Sequence, residues 1–244
     1  MQPANNGARM TPTVILTRPK AQSASFAAKL RAAWDGPIAI VIAPLIKIVP
    51  VDVTCRMPDA VIFTSANGVS AAERLGLPIG LPAWCIGSKT AGLARAAGFA
   101  PITGPGDADG LVADIIADKP TGVVAHIRGT HTRGNVSARL NAAGITCTDV
   151  VAYDQPVLGL TDEAISATSA QNSVVFPLFS PRTAKILSNE GPFAAHVHVV
   201  ALSEAVKAAV SPTISREITL AARPDGNAML SATLTAMQAQ IGRG

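Results

Sequence analysis

A chain of 244 residues is long for one compact unit and comfortable for two, each able to bury an interior without disulfides or metal. Nearly half of it is apolar (48%), aromatics are few (4%), and the net charge of +4 comes from scattered arginines and lysines, which speaks against a disordered chain and against a nucleic-acid-binding stripe. Three distant cysteines, Cys55, Cys85 and Cys147, show no CxxC spacing; this odd count fits reduced thiols in the cytoplasm better than a disulfide framework or a metal site.

Residues 1–11 carry none of the features of a signal peptide and read as a disordered tail. No apolar run is long enough to span a bilayer, so no membrane partner is expected. Beyond the tail, short β-rich runs end in clusters of Gly, Ser, Thr, Pro or Asp that open Ala/Leu-periodic helices. In chain order the clearest strands are Val14 to Thr17, Ala60 to Thr64, Ala83 to Ile86, Val123 to Ile127, Ser173 to Phe179 and His196 to Leu202. This alternation predicts an α/β protein with parallel sheets flanked by helices.

The units repeat. Arg18, Phe26 and Leu30 recur as Arg128, Val136 and Leu140. Downstream, Phe63-Thr64-Ser65 matches Leu178-Phe179-Ser180, Ile86-Gly87-Ser88 matches Leu202-Ser203-Glu204, and Asp107 with Leu111 matches Asp225 with Met229. A slowly lengthening offset over four successive loops points to one α/β unit present twice. Two extended, Pro-bearing runs, Pro44 to Pro50 and Tyr153 to Val157, lie between an Arg loop and a Ser loop and have linker character. If both are crossovers, residues 45–155 form a domain inserted into a discontinuous one made of 1–44 and 156–244; a plain tandem split is the other option.

Ligands of open parallel sheets bind at the carboxyl ends of the strands, where helix N-termini offer unpaired N–H groups. Two hinged domains of this kind would make a cleft suited to an elongated polyanion. Ser65, Asn67, Ser88, Thr90, Ser180 and Ser203 fall in these loops, and capping alone would account for each of them. Arg18, Arg128, Arg133 and Arg182 lie in or beside the same loops, where guanidinium forks match carboxylates; the competing reading is solvated surface charge. His126, His131, His196 and His198 have no acid partner at a metal or triad spacing and read as structural. Tyr153 is the only tyrosine; on the linking run, its phenol could face the cleft and donate a proton, or simply pack there. No Gly-x-Ser-x-Gly elbow, phosphate loop or GxGxxG accompanies a strand, which removes the common hydrolase, nucleotidase and dehydrogenase readings.

Several loops resemble those of uroporphyrinogen-III synthases: Leu16-Thr17-Arg18-Pro19, Val61-Ile62-Phe63-Thr64-Ser65-Ala66-Asn67-Gly68-Val69, Ile86-Gly87-Ser88-Lys89-Thr90-Ala91, Ile127-Arg128-Gly129, Val151-Ala152-Tyr153-Asp154-Gln155 and Phe179-Ser180-Pro181-Arg182. The similarity runs from about residue 13 to about 235. It implies the insertion topology, a two-stranded connector and an active site in the cleft between two similar domains. The implied substrate is hydroxymethylbilane, a linear tetrapyrrole bearing four acetates and four propionates. Dehydration to an azafulvene cation, attack at the substituted carbon of ring D, and reclosure of a spiro intermediate would give uroporphyrinogen III without any cofactor. The resemblance also implies that Tyr153 assists departure of the hydroxyl. It adds Gly87 and Gly129 to the binding loops and gives Arg133, with His131, a place at a helix start. Where many members carry Gly and Thr, this chain has Leu202-Ser203-Glu204-Ala205, so hydroxyl contacts from that loop are in doubt. A monomer, in transient contact with the upstream hydroxymethylbilane synthase, is implied as well.

The rival reading is a cytosolic anion-binding or regulatory protein, since hinged α/β pairs also capture ligands without turnover. A phosphotransfer or nucleotide enzyme would need the phosphate loop that is missing here.

Overall fold

The computed structural model describes residues 11–169 and 173–241; the expected disordered tail, apart from Thr11, lies outside the described residues. The chain opens with β1 (Thr13–Leu16), α1 (Lys20–Ala33) and β2 (Ala39–Ile42). There follow β3 (Val49–Pro50), β4 (Ala60–Phe63), α2 (Ala66–Arg74), β5 (Pro82–Cys85), α3 (Ser88–Ala96) and β6 (Ala100–Thr103). Next come α4 (Ala108–Asp118), β7 (Val124–Gly129), α5 (Val136–Ala142) and β8 (Cys147–Asp154). The chain closes with α6 (Asp162–Ser169), β9 (Ser173–Leu178), α7 (Pro181–Glu190), β10 (His196–Ala201), α8 (Glu204–Lys207), β11 (Glu217–Leu220) and α9 (Gly226–Ile241). All six strands read from the sequence are present, each within one or two residues of its expected ends.

The described chain divides into two compact units. One comprises the residues up to Lys47 together with those from Val157 onward; the other is Ile48–Pro156. The first holds a five-stranded sheet in the order β11-β10-β9-β1-β2, parallel throughout. The second holds six strands in the order β3-β8-β7-β4-β5-β6. Only β3 is antiparallel there, Val49 and Pro50 pairing with Asp154 and Tyr153, and its proline sits on the sheet edge, where a missing N–H does no harm. In the first unit, Ile46 bridges Val157 in the same antiparallel sense.

Setting β3 aside, both sheets have one order. Starting from the strand that leads into the Arg loop, each reads 2-1-3-4-5: β2-β1-β9-β10-β11 and β8-β7-β4-β5-β6. The first unit makes its first two strands before the chain leaves it, whereas the second makes the corresponding pair last. The repeat therefore has a physical counterpart: Phe26 and Leu30 on α1 are buried as Val136 and Leu140 are on α5. Asp107 accepts from the amide of Gly110 at the start of α4, and Asp225 accepts from those of Asn227 and Ala228 at the start of α9.

The cores follow from strand periodicity. Successive residues of β4 are all buried, as expected of a parallel strand covered on both faces. Val61 and Phe63 pack with α2 and α3 through Val69, Ala72, Ala91 and Ala94. Ala60 and Ile62 pack oppositely, with Leu111 and Ile115 of α4 and with Val136 and Leu140 of α5. In the first unit, Val14 and Leu16 of β1 meet Phe26 and Leu30 of α1 and Met229 and Met237 of α9.

Candidate active site

In a sheet ordered 2-1-3-4-5, the connections on either side of the first and third strands run to opposite faces, leaving a crevice beyond their carboxyl ends. Those strands are β7 and β4 in the second unit, and β1 and β9 in the first.

In the second unit, β4 runs into Thr64 and Ser65. Ser65 caps α2, its Oγ accepting from the amide of Gly68 at 3.3 Å, and the same oxygen stands 3.0 Å from the Tyr153 hydroxyl. Capping and a second contact thus coexist in one side chain. The first turn of α2 lies directly on β7: a Cβ on Gly68 would come 2.7 Å from the carbonyl oxygen of Ile127, so the close approach requires glycine.

Tyr153 reaches Ser65 because β8 carries a bulge. Arg128 pairs with Val151 and Gly129 with Tyr153, leaving Ala152 over. Strict alternation would place Tyr153 on the face of Val151, away from Ser65; the extra residue re-aims it into the cluster of Phe63 and Val69. The carbonyl of Ala152 accepts from the amide of Val51 and from the Arg74 guanidinium, which hold the bulge. The ring is packed so tightly on Gly129 that a Cβ there would run into it. Tyr153 is 5% exposed, and burial pushes its phenol up from the usual range, opposed by the Ser65 hydrogen bond, the Gly129 backbone and the Arg128 charge. Tyr153 therefore belongs to a strand in the core of the second unit, not to a free linker.

Arg128 lies within β7 rather than in a loop, and it is neither a solvated charge nor an unengaged fork. Nη2 donates to Asp149 Oδ2 at 2.9 Å and Nη1 to the Gly129 carbonyl at 2.9 Å, while the buried Nε has no hydrogen-bond partner. Asp149 also supplies His126 with an acid partner that the sequence does not show. The two residues are register partners across β7 and β8, with Nδ1 to Oδ1 at 3.2 Å; Nε2 stands 3.1 Å from Thr64 Oγ1. Hydrogen bonds from His126, Arg128 and Ser137 hold the Asp149 carboxyl well below the ordinary carboxylate range, against the opposing effect of burial. Sequence spacing could not show this pairing, because it depends on strand register. The same holds for His196 and His198, each 3.4 Å from Glu217, with His198 and Glu217 opposite one another on β10 and β11.

Asn67 is the second residue of α2 and half-buried. In the following loop, Gly87 caps α3 in extended backbone, close to Gly106, whose Cα would be 3.4 Å from a Cβ at Gly87. Ser88 is exposed and Thr90 buried in the first turn of α3. Arg133 and His131 are not at a helix start: α5 begins at Val136, behind Asn135 in left-handed backbone (φ 45°), and both residues are exposed in the preceding loop.

In the first unit, the Arg18 guanidinium carbon lies 4.2 Å from the centre of the Phe179 ring, a cation–π pair joining the loops after β1 and β9; burial lowers the Arg18 pKa. Phe179 was not among the site residues expected from the sequence. Ser180 caps α7, accepting from the amide of Thr183 at 3.1 Å, and half-buried Arg182 follows Pro181 in its first turn. Ser203 precedes α8 without a side-chain cap; its carbonyl takes the amides of Val206 and Lys207.

Each unit thus brings hydroxyls, helix N-termini and an arginine to the carboxyl end of its sheet, a set suited to carboxylates. Cys55 is half-buried and Cys85 and Cys147 are buried, all three as free thiols. Among the described residues, no cluster of three or more His, Cys, Asp or Glu is placed to hold a metal, and no helix is long and apolar enough to cross a membrane.

The fold is similar to that of uroporphyrinogen-III synthetase from Helicobacter pylori, with a TM-score of 0.65 at 16% identity over 93% of this chain and 100% of that one. A mutant uroporphyrinogen III synthase from the extremely thermophilic bacterium Thermus thermophilus matches with a TM-score of 0.56 at 14% identity over 96% of this chain and 100% of that one. No curated protein matches the sequence. The family model described as uroporphyrinogen-III synthase HemD matches residues 25–231, a span that takes in most of both units and leaves Arg18 outside. On that match, the chain belongs to the uroporphyrinogen-III synthase family.

Proposed function

We propose that the chain cyclises hydroxymethylbilane to uroporphyrinogen III, with loss of water and inversion of ring D, and so acts as a hydro-lyase of tetrapyrrole biosynthesis. The observation that carries this reading is the family match over residues 25–231. The linear substrate carries eight carboxylates, and the residues proposed to receive them are Arg18, Arg182, Ser180 and Ser203 in one unit, with Asn67, Gly87, Ser88, Thr90, Arg128, Gly129 and Arg133 in the other. Ser65 would hold Tyr153, whose phenol burial keeps protonated and therefore able to donate as the substrate hydroxyl departs. The remaining task is positional, keeping the chain curled so that ring D inverts before closure. The reaction needs no cofactor. We place the protein in the cytoplasm as a monomer, in transient contact with the hydroxymethylbilane synthase that supplies it.

The test is the initial rate of hydroxymethylbilane consumption by protein dialysed against chelator. A rate proportional to protein concentration is expected. A rate no faster than buffer, from folded protein, would favour an anion-binding protein.

A further inference from the structure

Thr64, His126 and Asp149 form a hydrogen-bonded chain that ends at the carboxyl end of β4, on the face of the sheet opposite Ser65 and Tyr153. His126 is 1% exposed, and both ring nitrogens are engaged: Nδ1 with Asp149 Oδ1 at 3.2 Å and Nε2 with Thr64 Oγ1 at 3.1 Å. Thr64 is partly exposed. The Asp149 carboxylate, held ionised by Arg128 and Ser137 as well, can only accept. It therefore places the proton of a neutral imidazole on Nδ1 and leaves Nε2 as an acceptor. Thr64 must then donate its single proton inward, so that only oxygen lone pairs face the strand end.

We propose that His126, oriented by Asp149, is a positioning residue that makes the Thr64 hydroxyl an acceptor for a pyrrole N–H of the substrate; the inference rests on the tetrapyrrole reading above. A linear tetrapyrrole offers two kinds of polar group, carboxylates that accept and pyrrole N–H groups that donate. A hydroxyl whose proton is committed inward repels the first and binds the second. The groups in contact with the ring are Thr64, just after β4, and Asp149 of β8, with Ser137 of α5 and Arg128 joined to it through Asp149.

The test measures kcat and KM for hydroxymethylbilane in the wild type, Thr64→Val and Thr64→Ser, with thermal unfolding as a check on folding. Thr64→Val should lower kcat/KM about tenfold, chiefly through KM. Thr64→Ser should keep the wild-type value. Thr64→Ala removes the same hydroxyl and serves if the valine variant does not fold. A hydroxyl-deleted variant with wild-type kcat/KM would overturn the role of His126 while leaving the synthase reading intact. A wild type that gives no type III product would overturn both.

Discussion

The hydroxyl oxygens of Ser65 and Tyr153, 88 residues apart in the chain, stand 3.0 Å from one another. Ser65 is fixed by the start of α2, and Tyr153 by a bulge and by Gly129 against its ring. If this phenol assists departure of the substrate hydroxyl, Tyr153→Phe should lower turnover by more than about tenfold and leave product binding close to unchanged. Steady-state rates and product titration check both halves. Normal turnover in a folded variant would remove Tyr153 from the chemistry.

Gly129→Ala should act on the same contact from the other side. Its Cβ would meet the Tyr153 ring, and moving that ring breaks the bond to Ser65. Turnover should fall as in Tyr153→Phe, with a loss of stability of about 1–3 kcal/mol from overpacking, read from the denaturant midpoint.

Arg128 tests the carboxylate clamp. Arg128→Ala should weaken product binding, by about tenfold for one charge-assisted hydrogen bond, whereas Arg128→Lys should recover part of the loss by keeping a charge beside Asp149. Product titration on folded variants decides; unchanged affinity in the alanine variant would restrict Arg128 to holding Asp149.

Asp149 gives a prediction in pH. Its pKa in the folded protein lies below the usual range, while the unfolded chain should titrate near the ordinary value of about 3.9. The stabilisation is therefore present above the unfolded pKa and is lost as pH falls through the folded one. Urea midpoints measured from pH 5 down to pH 2 should fall less steeply for Asp149→Asn than for the wild type.

Two helical glycines should respond oppositely to alanine. At Gly68 the new Cβ meets the Ile127 carbonyl, and destabilisation of about 1–3 kcal/mol is expected. At Gly92, on the exposed face of α3, nothing lies within 4 Å, so Gly92→Ala should stabilise by about 0.5–1 kcal/mol. Chemical denaturation of the two variants checks the pair.

The strands and the order of the loops were legible because parallel strands buried on both faces leave unbroken apolar runs, as at Ala60–Phe63, ending in capping residues such as Ser65 and Ser180. The repeat was legible because Leu30 and Leu140 occupy equivalent buried positions. Contacts that depend on register were not legible. His126 meets Asp149 only because residues 126 and 149 pair across β7 and β8, and a bulge beside Ala152 decides which face Tyr153 takes. Arg128 reads as in or beside a loop because the apolar run stops at Ile127, whereas β7 continues to Gly129. Arg133 does not reach a helix start because Gly134 (φ 82°) and Asn135 (φ 45°) both take left-handed backbone before α5 begins at Val136.

The central claim is that this chain inverts ring D. The most direct measurement incubates the purified protein with freshly made hydroxymethylbilane, oxidises the products and separates the type I and type III porphyrins by chromatography. The account predicts predominantly type III; type I alone, at the uncatalysed rate from folded protein, would contradict it.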